Sequence, residues 1–106
     1  MVDKRILITG GGGMLGDALF PIVKSKFANV LATDIDVNAS WLEKLDVRDI
    51  SQCEKIIASF APDIVIHLAA LTDLEFCEKN PEEAYITNTL GTENMAIFSV
   101  PKVFVM

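Results

Sequence analysis

The chain has 106 residues, of which 51% are hydrophobic and 23% are charged, and its formal net charge is −6. This size and composition predict one soluble globular domain, or part of one, rather than a disordered chain. The acidic balance argues against a nucleic-acid partner, because phosphate binding requires a basic surface. No apolar run has the length of a signal peptide or a membrane helix. We therefore expect a cytoplasmic protein without a membrane partner; whether it forms a homo-oligomer is left open.

The two cysteines, Cys53 and Cys77, lie far apart and show neither Cys-x-x-Cys spacing nor a neighbouring histidine. Metal sites and disulfide frameworks require patterns that are absent here. We expect two reduced, packed thiols and no metal site.

Short apolar runs alternate with segments of helical periodicity along the whole chain. The predicted strands cover residues 5–9, 29–33, 64–70 and 102–106, with a short third strand within 41–47. The predicted helices cover residues 14–27 and 51–60, and another begins at Asn80-Pro81. For the second helix, Ser51 is the predicted N-cap and Glu54 completes a capping box.

The run at residues 64–70 is almost continuously apolar, which is typical of a central parallel strand covered by helices on both faces. Strand–helix alternation predicts the α/β class, with a doubly wound parallel sheet. We expect the strand order 3-2-1-4-5 and ligands bound beyond the carboxyl ends of strands 1 and 4.

A glycine-rich loop, Thr9-Gly10-Gly11-Gly12-Gly13-Met14-Leu15-Gly16, joins the first strand to the first helix. Gly10 permits a tight turn, Gly13 lets the backbone approach a diphosphate, and Gly16 allows close packing of the helix against a strand. A flexible turn would also contain glycines, but the strand before and the helix after favour a dinucleotide-binding loop of the Rossmann type. The candidate cofactor contacts in the loop are Gly10, Gly12, Gly13, Met14, Leu15 and Gly16.

Asp34 ends the second predicted strand and is followed by Ile35 and Asp36. A carboxylate at this position accepts hydrogen bonds from the adenine-ribose hydroxyls and repels a 2′-phosphate. No arginine or lysine follows closely, so the sequence favours NAD(H) over NADP(H). Asp36 is an alternative to Asp34, and both residues are also common turn-formers.

At two further positions, the sequence pattern alone does not distinguish a functional role from a structural one. Asp46-Val47 follows the third strand. A strand end that leads into a helix cap explains these residues as well as a functional role does. His67 lies within an apolar strand, where a histidine is more often packed than catalytic.

These motifs together resemble the extended short-chain dehydrogenase/reductase superfamily over essentially all 106 residues. The likeness also rests on the segments His67-Leu68-Ala69-Ala70 and Asn88-Thr89-Leu90-Gly91-Thr92-Glu93-Asn94. The resemblance implies that Asp46 contacts adenine with Val47 beside it. It further implies that Leu68, Ala69 and Ala70 line the ribose and diphosphate, and that Asn88 helps to hold the active-site end of the fold.

Within that superfamily, the segment from Leu71 to Pro81 is most similar to the dTDP-4-dehydrorhamnose reductase family. This resemblance implies reduction of a 4-keto nucleotide sugar, which would be the substrate partner. An epimerase or dehydratase of the same superfamily, and a non-catalytic dinucleotide-binding regulatory module, are the alternatives.

The superfamily's catalytic Tyr-x-x-x-Lys is absent from these residues: the single tyrosine, Tyr85, is followed four positions later by Thr89. No catalytic residue is therefore assigned. We expect residues 1–106 to be an incomplete NAD(P)-binding domain, either part of a longer protein or a chain that lacks internal stretches. Alone, it is expected to be inactive.

Overall fold

The computed structural model describes residues 2–68, 79–82, 90–95 and 102–105. The strands are β1 (Val2–Thr9), β2 (Phe27–Asp34), β3 (Leu42–Lys44), β4 (Ile64–His67) and β5 (Lys102–Val105). The helices are α1 (Met14–Lys26) and α2 (Ile50–Phe60), and residues 90–95 are also helical. Among the described residues, no helix has the length and apolar character that a bilayer span requires.

The five strands form one sheet in the order β3-β2-β1-β4-β5, and every neighbouring pair is parallel. The predicted α/β class and strand order are therefore confirmed. Parallel strands require crossover connections, and α1 connects β1 to β2 while α2 connects β3 to β4. β2 and β3 are joined by residues 35–41, which form no helix.

Alternate residues of β1 point to opposite faces of the sheet and pack against different helices. Ile6 and Ile8 belong to a cluster that includes Val23 of α1. Leu7 belongs to a second cluster that includes Ile57 of α2. Helices thus cover both faces, as predicted, and this explains why three consecutive residues of β1, Ile6, Leu7 and Ile8, are all apolar and buried.

Several element boundaries differ from those predicted from the sequence. β1 begins at Val2 despite the charged residues that follow, and β2 begins at Phe27, where the helix was predicted to end. β3 covers only Leu42–Lys44 of the predicted 41–47 region. β4 ends at His67, and the predicted continuation through Ala69 and Ala70 lies outside the described residues.

The predicted cap of α2 was wrong: the helix begins at Ile50, and Asp49 is its N-cap. The Asp49 carboxylate accepts hydrogen bonds from Ser51 N at 3.0 Å and Gln52 N at 3.3 Å. A carboxylate at the cap satisfies amide donors and also carries negative charge to the positive end of the helix. Ser51 therefore lies inside the helix.

Cys53 of α2 is fully buried in the second cluster, and its Sγ donates to Val47 O at 3.4 Å. Burial raises the pKa of this thiol to about 11, so it stays protonated near neutral pH. Cys53 is a free, packed thiol, as expected, whereas Cys77 lies outside the described residues.

His67 and Thr9 form a buried polar pair at the carboxyl edge of the sheet. They are register partners in β4 and β1, and His67 Nδ1 lies 2.6 Å from Thr9 Oγ1. His67 is only 2% exposed, and its Nε2 has no hydrogen-bond partner in the described part of the chain. Burial lowers the pKa of His67 below its ordinary 6.5, so the ring is neutral at pH 7.

Replacing Asp49 by Ala should lower the free energy of unfolding by about 1 kcal/mol, because two amide donors of α2 lose their acceptor. The matched control is Ser51→Ala, which removes no cap and should change stability by less than about 0.5 kcal/mol. Urea unfolding monitored by circular dichroism measures both variants. If Ser51→Ala lowered the free energy of unfolding more than Asp49→Ala does, Ser51 and not Asp49 would be the N-cap.

The His67 pair also predicts a pH dependence of stability. The unfolded chain takes up a proton on His67 at a higher pH than the folded chain does. The contribution of the buried, neutral His67 to the free energy of unfolding is therefore complete above the ordinary pKa of histidine. It falls as the pH drops below about 6.5 towards the folded-state value. Between about pH 7 and 5.5, the free energy of unfolding should fall more steeply in the unaltered protein than in His67→Gln. If the free energy of unfolding fell equally steeply with pH in both proteins, His67 would not be the source of the pH dependence, whatever the variant's absolute stability.

Candidate functional site

The glycine loop lies where predicted, between the carboxyl end of β1 and the first residue of α1. Gly10 has a φ of 69°, a left-handed conformation that glycine adopts without steric cost. Gly11 N donates to Thr33 O of β2 at 2.9 Å, and Gly13 N donates to Gly10 O at 3.3 Å. The loop is therefore held against the carboxyl ends of both β1 and β2.

Gly16 and Gly13 have different structural constraints. A Cβ on Gly16 would clash with the backbone of Gly11, whose Cα would lie 2.5 Å away. Gly16 thus permits close contact of α1 with the loop backbone, whereas the sequence suggested contact with a strand. A Cβ on Gly13 would meet only Gly10 O at 3.6 Å, which is an ordinary contact. Nothing in the described fold itself requires glycine at position 13.

The amino terminus of α1 presents backbone donors to the space beside Gly13. Gly13 is the N-cap and provides no side-chain hydrogen bond to the helix. The first helical amides therefore carry the partial positive charge that attracts anions. Met14 is 93% exposed and Leu15 is 49% exposed, so two apolar side chains lie at the rim of this space.

Asp34 lies beside the loop at the end of β2. Its Oδ2 accepts a hydrogen bond from Gly12 N at 2.9 Å, and its Oδ1 accepts one from Asp36 N at 3.0 Å. Two carboxylate oxygens have about four acceptor positions, so these contacts leave room for further donors. Ile35, the next residue, is 50% exposed. Asp34, rather than Asp36, is the carboxylate in direct contact with the glycine loop.

Asp46 and Val47 follow β3 and lie in different environments. Arg48 forms a two-pronged contact with Asp46, with Nε 3.0 Å from Oδ1 and Nη2 3.1 Å from Oδ2. The hydrogen bonds from Arg48 hold the pKa of Asp46 below its usual 3.8. Val47 is buried, and its carbonyl accepts a hydrogen bond from Asn94 Nδ2 at 2.9 Å. The Val47 side chain therefore packs in the core, while Asp46 is partly accessible.

The remaining predicted contacts are described only in part. Leu68 follows β4, and its N–H donates to Thr9 O at 2.9 Å, close to where the glycine loop begins. Ala69, Ala70 and Asn88 lie outside the described residues.

Sequence reasoning missed two polar contacts of this region. Asn94 is buried and connects residues 90–95 to the segment after β3. Thr33 is fully buried, and its Oγ1 donates to Ile8 O at 3.0 Å. The partners in both contacts are distant in sequence, so no local pattern indicated either contact.

The chain matches the RmlD substrate binding domain family over residues 4–100. It is 33% identical to dTDP-4-dehydrorhamnose reductase of Mycolicibacterium smegmatis over 96 residues, covering 91% of this chain and 27% of that protein. It is 32% identical to methionine adenosyltransferase 2 subunit beta of Xenopus tropicalis over 93 residues, covering 88% of this chain and 28% of that protein.

Two solved structures share the fold over nearly the whole chain. L-threonine dehydrogenase of Clostridium difficile superposes with a TM-score of 0.88 at 29% identity, covering 99% of this chain and 36% of that one. dTDP-4-dehydrorhamnose reductase of Bacillus anthracis, in complex with NADP, superposes with a TM-score of 0.81 at 29% identity, covering 97% of this chain and 35% of that one. The chain spans roughly a third of the length of these proteins. On the match over residues 4–100, this chain belongs to the RmlD substrate binding domain family.

Proposed function

We propose that these residues form the cofactor-binding part of an NAD(P)-dependent oxidoreductase that reduces a 4-keto nucleotide sugar. The observation that carries the proposal is the pair of glycines at the start of α1. Gly16 is required by the fold, whereas a Cβ on Gly13 would make only one ordinary contact, at a helix terminus that has no side-chain cap. A diphosphate approaching that terminus would explain why position 13 has no side chain.

The other residues of the site fit the same ligand. A nicotinamide dinucleotide would place its diphosphate at the amino terminus of α1 and its adenine ribose at Asp34, which already contacts the loop. The bound cofactor would supply a hydride, and the chain's own contribution is binding and orientation. We propose NAD(H) as the preferred cofactor, since the Asp34 carboxylate repels a 2′-phosphate.

The substrate class rests on relatedness. Family membership and 33% identity to a dTDP-4-dehydrorhamnose reductase support a nucleotide-sugar substrate. We propose that residues 1–106 form one incomplete cofactor-binding domain. The groups that hold the sugar and protonate its carbonyl would then come from other residues of the protein.

A second candidate function is a regulatory module that binds a dinucleotide without turnover. The similarity to methionine adenosyltransferase 2 subunit beta favours it, because that protein is named as a subunit of an enzyme with different chemistry. Both candidates require the same cofactor site and differ only in the catalytic groups.

Gly13→Val should weaken NADH binding by about 1–3 kcal/mol, because the added side chain occupies the space proposed for the diphosphate. Its unfolding midpoint should fall less than that of Gly16→Ala, since a Cβ at position 13 meets only Gly10 O at 3.6 Å. Calorimetric titration with NADH measures the affinity.

The matched variant Gly16→Ala should behave differently. It should lower the free energy of unfolding by about 1–3 kcal/mol, because its Cβ clashes with the Gly11 backbone. Unchanged NADH affinity in a folded Gly13→Val protein would contradict the proposed cofactor site.

A chain of these 106 residues alone should not oxidise NADH in the presence of a dTDP-4-keto-6-deoxyhexose. General acid catalysis contributes about 10²–10⁴-fold, and substrate positioning contributes more. The sequence contains no Tyr-x-x-x-Lys to supply the proton. NADH absorbance, compared with a full-length homologous reductase as positive control, measures turnover. Clear turnover by these residues alone would show that the catalytic groups were misidentified.

A further inference from the structure

Lys44 lies beside Asp34 at the carboxyl edge of the sheet, although the two are distant in sequence. They are register partners in the parallel pair β2–β3, and Leu45 N donates to Asp34 O at 3.0 Å. Partners in neighbouring parallel strands lie about 4.8 Å apart. Lys44, whose side chain ends in an ammonium group, therefore lies one strand away from the carboxylate that contacts the glycine loop.

The side chains of Asp34 and Lys44 lie on the loop side of the sheet. Two residues earlier, the partners Ala32 and Leu42 both pack in the cluster that contains Val23 of α1. Because side chains alternate along a strand, Asp34 and Lys44 return to that same face. The hydrogen bond from Gly12 N to Asp34 shows directly that the carboxylate points towards the loop.

Lys44 is exposed and is not neutralised by an ion pair with the described residues. The nearby Asp46 carboxylate is engaged by Arg48, and Lys44 adds only a longer-range attraction that helps to lower the pKa of Asp46. A flexible ammonium in this position is available to an anionic group that arrives beside Asp34.

We propose that Lys44 is a specificity-determining residue that attracts the 2′-phosphate of NADP(H) and so limits the preference for NAD(H) imposed by Asp34. This inference rests on the proposed cofactor site. Asp34 repels a phosphate on the adenine ribose, while Lys44, one strand further out, attracts it. NAD(H) carries no charge at the 2′ position, so neither this repulsion nor this attraction acts on its adenine ribose.

The test compares binding of NADH and NADPH to the unaltered protein and to Lys44→Gln. Lys44→Gln should raise the Kd for NADPH about fivefold and leave the Kd for NADH within about twofold, as expected for one accessible ion pair. The chain's single tryptophan, Trp41, lies next to Leu42, whose side chain adjoins Gly12. Energy transfer from Trp41 to the bound reduced nicotinamide therefore reports binding without requiring turnover.

Three controls separate a specific effect from a general one. Lys55→Gln removes the same charge from an exposed position on α2 and should not alter the ratio of the two Kd values. Lys44→Arg retains the charge and should preserve the ratio. Asp34→Asn should shift the ratio in the opposite direction, towards NADPH. Raising the salt concentration should reduce the difference between the unaltered protein and Lys44→Gln.

Adenosine 2′,5′-bisphosphate and adenosine 5′-monophosphate provide the same comparison without a nicotinamide.

Normal binding of both cofactors with an unchanged ratio of the two Kd values in Lys44→Gln would overturn this inference alone. A loss of affinity equal for both cofactors would also overturn it, since Lys44 would then support the site in general. Failure of the unaltered protein to bind either cofactor would overturn the proposed function and this inference with it.

Discussion

The geometry of the site depends on one backbone contact, the approach of Gly16 in α1 to Gly11 in the loop. Any side chain at position 16 would meet the Gly11 backbone and push the helix outward. With hydrogen at that position, α1 begins directly against a loop that is itself bonded to Thr33 of β2. The helix terminus and the carboxyl end of β2 are thereby fixed relative to each other. That arrangement allows one extended ligand to reach both the backbone donors of α1 and the Asp34 carboxylate.

Asp34 has a structural role as well as its proposed ligand role. Its contacts with Gly12 N and Asp36 N fix the carboxylate and the turn that follows β2 before any ligand is bound. A ribose would therefore meet an oriented acceptor, which reduces the entropic cost of binding. The same contacts mean that a substitution at Asp34 affects loop order together with cofactor choice. A conservative change to Asn, which retains an acceptor oxygen, separates these effects better than truncation does.

The sheet order was predictable because parallel strands, short connections and right-handed crossovers leave few arrangements of this pattern. The glycine loop and Asp34 were predictable because their signals are local. The cap of α2 was misassigned because Ser51 and Asp49 are both good caps, and only the backbone distinguishes them. The proximity of Lys44 to Asp34 was missed for a different reason. Reading the residues that follow Asp34 omits a cation that reaches the same edge from the next strand.

The division of labour within such a protein follows from where these groups lie. Diphosphate binding would use backbone amides and a helix terminus, and ribose recognition would use side chains at the ends of β2 and β3. None of these groups is a candidate for proton transfer to a carbonyl, so changes in cofactor choice need not disturb the chemistry. The reverse also holds, since a different catalytic region can be combined with the same cofactor-binding part. That independence fits the range of proteins that share this fold, which includes a threonine dehydrogenase and a nucleotide-sugar reductase.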